Sequence, residues 1–396
     1  MSIDIRRFVD INLKHKEISS VNSIRDTAVL ISSDTTSIAL QSLIAKAKKL
    51  KLVPNDATFS TLKDLQLAMK ISTSEQFYEL YNTYNSETGV WTINLENATK
   101  YVDTFFENNG NKLIVITNMT ETVSQGKTDV QTTIEQLENE FIVVAYTGTQ
   151  SLIKTIAKSR ASDVSIYGVN RKLLLMSVSA NDTEKVDDLI CKYTSNNEDV
   201  MTIAAYLTDI DIYGSNTVQD YCFTKETVKT VINDDTLFET LSTNNINVDV
   251  NLAGAVRNYG GNCKNGLDLV NEFVLIVLQQ TLTDRVLLAM STKLKNEQGL
   301  ATIKTVMSEE LNRYVRNGYL TTSKIWTDTD YTVTYNNQTF TVVEQDTALP
   351  LGYRIKILPY SSLTNEDKAL HSTPPIYVVV ADSYGIRKVT INGLVF

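Results

Sequence analysis

Period-two alternation opens the chain. In Ile3-Asp-Ile-Arg-Arg-Phe-Val-Asp-Ile-Asn-Leu13, residues 3, 5, 9, 11 and 13 are apolar and 4, 6, 10 and 12 are polar, with a break at Arg7 and Phe8. Such spacing lines one side of an extended strand with apolar side chains. The polar run Lys14 to Ser20 follows, then a second strand, Ala28-Val-Leu-Ile31. From there to about residue 208 the apolar positions switch between two periods. Helical spacing covers 38–50, 74–85, 97–108, 130–139, 149–159 and 183–193. Short apolar runs lie between them: Leu113-Ile-Val-Ile116, Phe141-Ile-Val-Val-Ala145, Val164-Ser-Ile-Tyr167, Lys172-Leu-Leu-Leu-Met176 and Met201-Thr-Ile-Ala204. Strands separated by helices of about ten to fifteen residues predict βαβ units and a largely parallel sheet.

The second half changes character. Two helical segments, 267–282 and 299–316, flank a connection at 292–298. Beyond them the period is two. Tyr331-Thr-Val-Thr-Tyr335 and Thr339-Phe-Thr-Val-Val343, joined by Asn336-Asn337-Gln338, predict a hairpin. Gly352-Tyr-Arg-Ile-Lys-Ile-Leu358 predicts another strand. The chain closes on Pro374-Pro-Ile-Tyr-Val-Val-Val380 and on 386–396, where Val389, Ile391 and Val395 share a side and Gly393 leaves a gap in the row. Proteins usually blunt strand edges of this kind. Either another part of the molecule covers them or another molecule pairs with them.

Composition narrows the class. The 396 residues suffice for two or three domains, and 42% hydrophobic with 21% charged residues is ordinary for a globular chain. No apolar signal region opens the sequence, and the greasiest run, Phe273-Val-Leu-Ile-Val-Leu278, is too short to span a bilayer. A net charge of −9 argues against a general nucleic-acid binder. Cys191, Cys222 and Cys263 show no metal or redox spacing and are read as reduced, structural thiols. The Asn-x-Thr sequons at Asn97, Asn118, Asn181 and Asn337 are read as chance.

Candidate chemistry is sparse. The two histidines, His15 and His371, stand in polar runs without a nucleophile or metal-ligand partner at any recognised spacing. The glycine-rich loop from Ala253 to Gly266 places Asn265 after Lys264 and fits neither phosphate-binding pattern, so it reads as a structural turn. The stretch from Asp209 to Asp220 matches a calcium loop at its acids and glycine, but Tyr213 stands where an oxygen ligand belongs. The pairs Asp187-Asp188, Asp234-Asp235 and Glu309-Glu310 read as solvated faces. No catalytic, metal or cofactor site is expected.

The order of these features resembles that of the contractile tail sheath proteins of bacteriophages, in particular a branch defined by a domain of unknown function. Arg6-Arg-Phe-Val-Asp-Ile-Asn-Leu13 followed by Asp26-Thr-Ala-Val-Leu-Ile-Ser32 is similar to that family's opening arm and first core strand. Phe59-Ser-Thr-Leu-Lys-Asp-Leu65, and Tyr101-Val-Asp-Thr-Phe-Phe106 before the strand at Leu113, are similar to its next block. The resemblance continues through Tyr213-Gly-Ser-Asn-Thr-Val-Gln-Asp220 and Asn244-Asn-Ile-Asn-Val-Asp249, then the glycine loop and its helix. Val315-Arg-Asn-Gly-Tyr-Leu320, Gly352-Tyr-Arg-Ile355 and the closing strands complete it. Ser383-Tyr-Gly-Ile386 and Asn271-Glu-Phe273 depart from the family's usual Ala-Gly-Ala-Ile turn and helix tryptophan.

The resemblance implies a mixed α/β (α+β) tail-sheath-like fold. Its parts would be an N-terminal arm at 1–20, an α/β domain at 21–208, an α+β sheath core domain at 209–385 and a C-terminal arm strand at 386–396. It implies a structural virion subunit without catalysis or cofactor, assembled in the host cytoplasm, with no nucleic-acid partner and no membrane insertion. Partners would be neighbouring copies in stacked, six-membered rings, the tail tube protein, the baseplate and the tail terminator. The arms would link copies by strand addition, through Ile3, Ile5, Val9, Ile11 and Leu13 at one end and Val389, Ile391, Gly393 and Val395 at the other. Lys14 to Ser20 and Tyr384-Gly385 would be the hinges. Lys304, Arg313 and Arg316 have two readings, a positive face for an acidic tube and an ordinary solvated face. Two other classes stay open: a different ring-forming virion component, such as a tail terminator or baseplate protein, and an α/β enzyme using acidic residues.

Overall fold

The computed structural model describes residues 26–138, 140–163, 171–212, 220–228, 230–252, 254–290, 296–369 and 373–383. They fall into two compact units. The first, here the sheet unit, holds 26–210 and 220–273; the second holds Asp211, Ile212 and 274–383.

In the sheet unit the strands are β1 (Thr27–Ile31), β2 (Thr83–Asn85), β3 (Val90–Thr92), β4 (Lys112–Ile116), β5 (Val123–Ser124), β6 (Lys127–Thr128), β7 (Val143–Tyr146), β8 (Leu173–Val178), β9 (Leu189–Tyr193), β10 (Ile246–Leu252) and β11 (Ala255–Tyr259). Seven of them form one sheet in the order β11-β10-β9-β8-β7-β1-β4. All neighbours are parallel except β10 and β11, with Val29 opposite Ile114 and Val144, and Met176 opposite Cys191. A parallel sheet is covered on both faces, which is why Thr-Ala-Val-Leu-Ile of β1 and Val-Val-Ala-Tyr of β7 are buried at every position. Val29, Ile114, Val144, Leu174, Cys191 and Val248 belong to a single apolar cluster across the strands. Several helices start on a side-chain cap: Thr61, Thr73, Thr128 and Asp234 each accept the N–H three residues on.

Helices Leu40–Lys49, Glu96–Glu107, Asp129–Gln136 and Gln150–Ser162 stand where helical spacing predicts them. Two segments reverse. Residues 183–193, expected as a helix, contain β9, because parallel pairing to β8 and β10 buries Leu189, Ile190 and Cys191 on both faces. Met201-Thr-Ile-Ala204, expected as a strand, opens the helix Met201–Asp209, whose nearly all-round burial leaves no helical period to read. The helix at 74 stops at Tyr81, and 83–85 form β2 instead. The expected strand Val164 to Tyr167 lies outside the described residues. The sheet also runs past the boundary expected at 208, since β10 and β11 join it from 246–259.

The second unit carries β12 (Lys324–Ile325), β13 (Tyr331–Tyr335), β14 (Gln338–Val343), β15 (Ala348–Leu349), β16 (Tyr353–Ile357) and β17 (Ile376–Val380), paired as three two-stranded sheets. The hairpin β13–β14 turns on Asn336 and Asn337 alone, both at positive φ (47° and 60°), and Gln338 already pairs with Tyr335. That is the two-residue turn whose twist suits a hairpin. The helix Leu269–Met290 runs past its expected end at 282, beginning in the sheet unit and continuing in the second. The helix Asn296–Arg316 stops at Asn317-Gly318, where Gly318 has φ +83° and Tyr319 N–H returns to Tyr314 O. Among the described residues no helix is long and apolar enough to cross a membrane.

Candidate assembly surfaces

The strongest candidate surface is a strand edge. β16 and β17 pair antiparallel, with Tyr353 opposite Val380, Ile355 opposite Val378 and Ile357 opposite Ile376. One face of this ribbon meets the helix Asn296–Arg316, where Tyr353 donates its hydroxyl to Asn312 Oδ1 at 3.1 Å. On the other face Val379, Ala381 and Tyr377 pack with Val342, Val343, Leu349 and Trp326. Leu358 N–H reaches Pro375 O and Ala381 N–H reaches Gly352 O, so the odd-numbered positions of this strand bond toward β16. By the alternation of an antiparallel strand, the N–H and C=O groups of Ile376, Val378 and Val380 point the other way. Among the described residues that outer edge has no strand partner. A two-stranded ribbon is marginal in water, and a β-branched edge is a template for a further strand.

The chain beyond β17 is tied down as far as it is described. Thr321 N–H donates to Ala381 O at 2.8 Å, Ser383 N–H to Tyr319 O at 3.2 Å and Ser383 Oγ to Gly318 O at 2.5 Å. Lys324 pairs with Asp382 at 2.9 Å. Val389, Ile391, Gly393 and Val395 lie outside the described residues, as do Ile3, Ile5, Val9, Ile11 and Leu13, both expected hinges and both histidines.

Lys304, Arg313 and Arg316 do not share one face of their helix. Lys304 and Arg313 are nine residues apart, about half a turn out of phase at roughly 100° per residue. Lys304 and Arg316 are exposed, whereas Arg313 pairs with buried Glu310 and stacks over Tyr314 at 5.9 Å. Burial raises the Glu310 carboxyl above its ordinary value, opposed by Arg313 and by Arg285, whose Nε lies 3.6 Å away.

Of the acidic pairs read as solvated, Asp234-Asp235 is exposed as expected and the other two divide. Asp187, Asp235 and Glu309 are exposed, and Asp234 caps its helix. Asp188 and Glu310 are buried and paired because each faces an arginine from another element. Arg171 holds Asp188 through two bonds, and Glu272 as well.

The glycine loop is organised from within. Asn247 is fully buried; its Nδ2 donates to Cys191 O at 3.0 Å and Asn262 O at 2.9 Å, and its Oδ1 accepts from Gly261 N–H and Asn262 N–H. Gly260 has φ +135°, and a Cβ there would stand 2.6 Å from Asn247 Oδ1. Lys264 is buried, which lowers its basicity, and it donates to the carbonyls of Asp182 and Asn244. Its ammonium is committed to the fold. Burial likewise pushes the Cys191 thiol up to about 12 and Cys263 well above its usual value. Among the described residues no group of acids, cysteines and histidines has the makings of a metal site, and positions 213–219 of the calcium-like stretch lie outside them.

Sequence reasoning missed the buried ions. Asn247 and Asp249 alternate with Ile246, Val248 and Val250, the signature of a half-solvated strand, yet both are fully buried. Lys192 on the adjoining strand is equally buried. The signal for Lys192 and Asp249 was their opposite sign in two apolar runs.

No known family profile and no curated protein matches the chain. Among solved structures it resembles the helical sheath of the anti-feeding prophage, determined by cryo-electron microscopy in the contracted state. The likeness covers 97% of this chain and 98% of that one, with a TM-score of 0.60 and 10% identity. Identity that low speaks for fold alone. The fold is that of a contractile sheath subunit.

Proposed function

We propose that the chain is the structural subunit of a phage contractile tail sheath. Copies polymerise as stacked rings, six to a ring, around a tail tube, and contraction drives the tube through the host envelope for genome ejection. The observation that carries this reading is the likeness to a sheath subunit over nearly the whole of both chains. The free energy for contraction is stored in assembly, so the subunit acts without catalysis or cofactor.

Copies are stitched by strand exchange. The N-terminal arm with Ile3, Ile5, Val9, Ile11 and Leu13, or the C-terminal arm with Val389, Ile391, Gly393 and Val395, adds to the sheet of a neighbouring copy. The outer edge of β17 supports this, since among the described residues its outward backbone groups have no strand partner and lie beside alternating apolar side chains. Main-chain bonds give such a junction affinity, and the alternation fixes its register. The tail tube protein meets Lys304 and Arg316 on the exposed part of their helix. Baseplate and tail terminator bind the two ends of the assembly, which forms in the host cytoplasm and ends in the virion.

Electron microscopy of the purified protein tests the reading. Hollow, striated tubes are expected. Single rings would favour a tail terminator or baseplate component, and dispersed particles at all concentrations would overturn both.

A further inference from the structure

Residues 220–228 run along the outer edge of β11 as a strap. Phe223 N–H donates to Asn258 O at 2.8 Å, Asn258 N–H to Thr224 O at 3.0 Å and Glu226 N–H to Val256 O at 3.2 Å. Lys225 bridges Arg257 in antiparallel fashion, and the Arg257 guanidinium reaches Phe223 O at 2.9 Å. The strap is the first stretch of the sheet unit after the chain has passed through Asp211 and Ile212 of the second unit.

Its side chains close on a buried ionic cluster. Lys192 of β9, fully buried, donates to Glu226 of the strap and to Thr202 Oγ1 of the helix Met201–Asp209 at 2.7 Å, and stands 3.0 Å from Asp249 Oδ2 of β10. Tyr221 of the strap donates its hydroxyl to Glu226. Asn258 of β11 is directly opposite Asp249; among the described residues the Asp249 oxygens have the Lys192 ammonium beside them and no other donor, and the side-chain amide of Asn258 has no hydrogen-bond partner. Asp199, in the turn before the helix, is a further carboxyl that feels Lys192. The inner cluster therefore sets one ammonium against two carboxyl groups. If both are ionised, two acceptors face each other out of water with one charge uncompensated, a costly arrangement.

We propose that one proton, held by Asp249 and shared with Glu226, latches the strap 220–228 over the β11 edge, and that its loss loosens the strap. Protonated Asp249 donates to Glu226, the cluster becomes neutral, and both carboxyl groups are satisfied. The direction of the Asp249 shift agrees: burial raises it well above the carboxylate range, Lys192 opposes this and Glu226 adds to it. Lys192 is raised despite burial by the two carboxyl groups beside it, and with Asp249 protonated the Glu226 carboxylate remains as its counter-charge. Tyr221 stays a donor, raised by burial and by Glu226.

The sign follows from the proton count. With the strap open, Asp249 meets water and ionises above about pH 4; with it closed, the proton is retained. Closure is therefore strongest below that value. It is lost progressively as pH rises toward the raised value of the closed state, up to about ten-fold per unit for one proton.

Hydrogen exchange on the full chain between pH 5 and 9, expressed as protection relative to the intrinsic rate, tests the latch. The amides of Phe223, Glu226 and Asn258 are expected to lose up to about ten-fold protection per pH unit over part of that range, while Val29 to Ile31 of β1 do not. Asp249→Asn keeps the uncharged form at every pH and is expected to flatten the slope. Glu226→Gln leaves one carboxylate for one lysine and is expected to do the same, should Asp249→Asn fold poorly. Strap protection independent of pH in the unaltered chain would overturn the latch, as would an unchanged slope in a folded variant.

Discussion

Arg171 binds Asp188 and Glu272 at once. Its Nε donates to Asp188 Oδ2 at 3.1 Å and its Nη2 to Asp188 Oδ1 at 2.5 Å, while the same Nη2 also reaches Glu272. Asp188 stands just before β9, and Glu272 lies in the first turn of the helix Leu269–Met290. One guanidinium thus fixes a strand start and a helix start to each other. Replacing it with Met leaves two nearly buried carboxyl groups without a counter-charge. Arg171→Met is expected to lower the unfolding free energy by about 3 kcal/mol, measured by urea titration. Arg171→Lys should recover less than half, because an ammonium cannot grip both carboxylates in the fork geometry.

The glycine loop gives a second measurement. Gly260→Ala forces a side chain into the left-handed half of backbone space and against Asn247 Oδ1. A cost of about 2 kcal/mol is expected. Asn247→Ala removes the loop's internal anchor and should cost a similar amount. Since the added methyl collides with the very atom that Asn247→Ala removes, the double variant should be less damaged than the sum of the two. Strict additivity in thermal or urea unfolding would contradict this geometry.

How much of this was legible in the sequence depends on the element. β1, β4, β7 and β8 could be read directly, because a strand covered on both faces is a continuous apolar run rich in β-branched residues and leucine. The hairpin β13–β14 was legible from Asn336-Asn337 and the flanking alternation. β9 was not, since Val186, Leu189, Ile190 and Tyr193 have helical spacing and only pairing to β8 and β10 decides against it. The helix Met201–Asp209 was hidden for the opposite reason: burial on nearly all sides erased its period. The outer edge of β17 was half legible. Its β-branched run announced an edge strand, but only the bonds of Pro375 and Ala381 reveal which side lacks a strand partner among the described residues. The arm positions themselves lie outside the described residues.

The three cysteines make a simple check on packing. Cys191, Cys222 and Cys263 are buried thiols outside any disulfide, and burial raises the first to about 12. Thiolate is the reacting species. The folded chain at pH 8 should therefore resist a thiol-specific reagent, while the urea-unfolded chain should titrate all three thiols rapidly. Fast labelling of one cysteine in the folded chain would show that its cover opens.

Charge on the helix Asn296–Arg316 should separate into two effects. Lys304→Ala and Arg316→Ala remove exposed heads and are expected to change unfolding free energy by less than about 0.5 kcal/mol. Arg313→Ala strips the partner from buried Glu310 and should cost about 2 kcal/mol. If the proposed tube contact is correct, Lys304→Glu with Arg316→Glu weakens co-sedimentation with the tube protein while leaving the melting temperature unchanged. Retained binding would remove these two residues from the tube surface.

The terminal arm can be tested apart from the body. The bonds from Ser383 to Gly318 and Tyr319, and the pair Lys324–Asp382, tie the end of the described chain to the body. Deleting 386–396 should therefore leave thermal unfolding of the body nearly unchanged. If this segment carries the exchange strand, the same deletion abolishes tubes in the electron microscope, and a Pro at Val378 of the full chain does so too. Val378 points its N–H outward from β17, so proline there removes a donor needed by an added strand and none used by β16. Normal polymerisation of both variants would exclude the β17 edge and the C-terminal arm as the junction. Unfolding of the truncated chain would instead make 386–396 an internal strand.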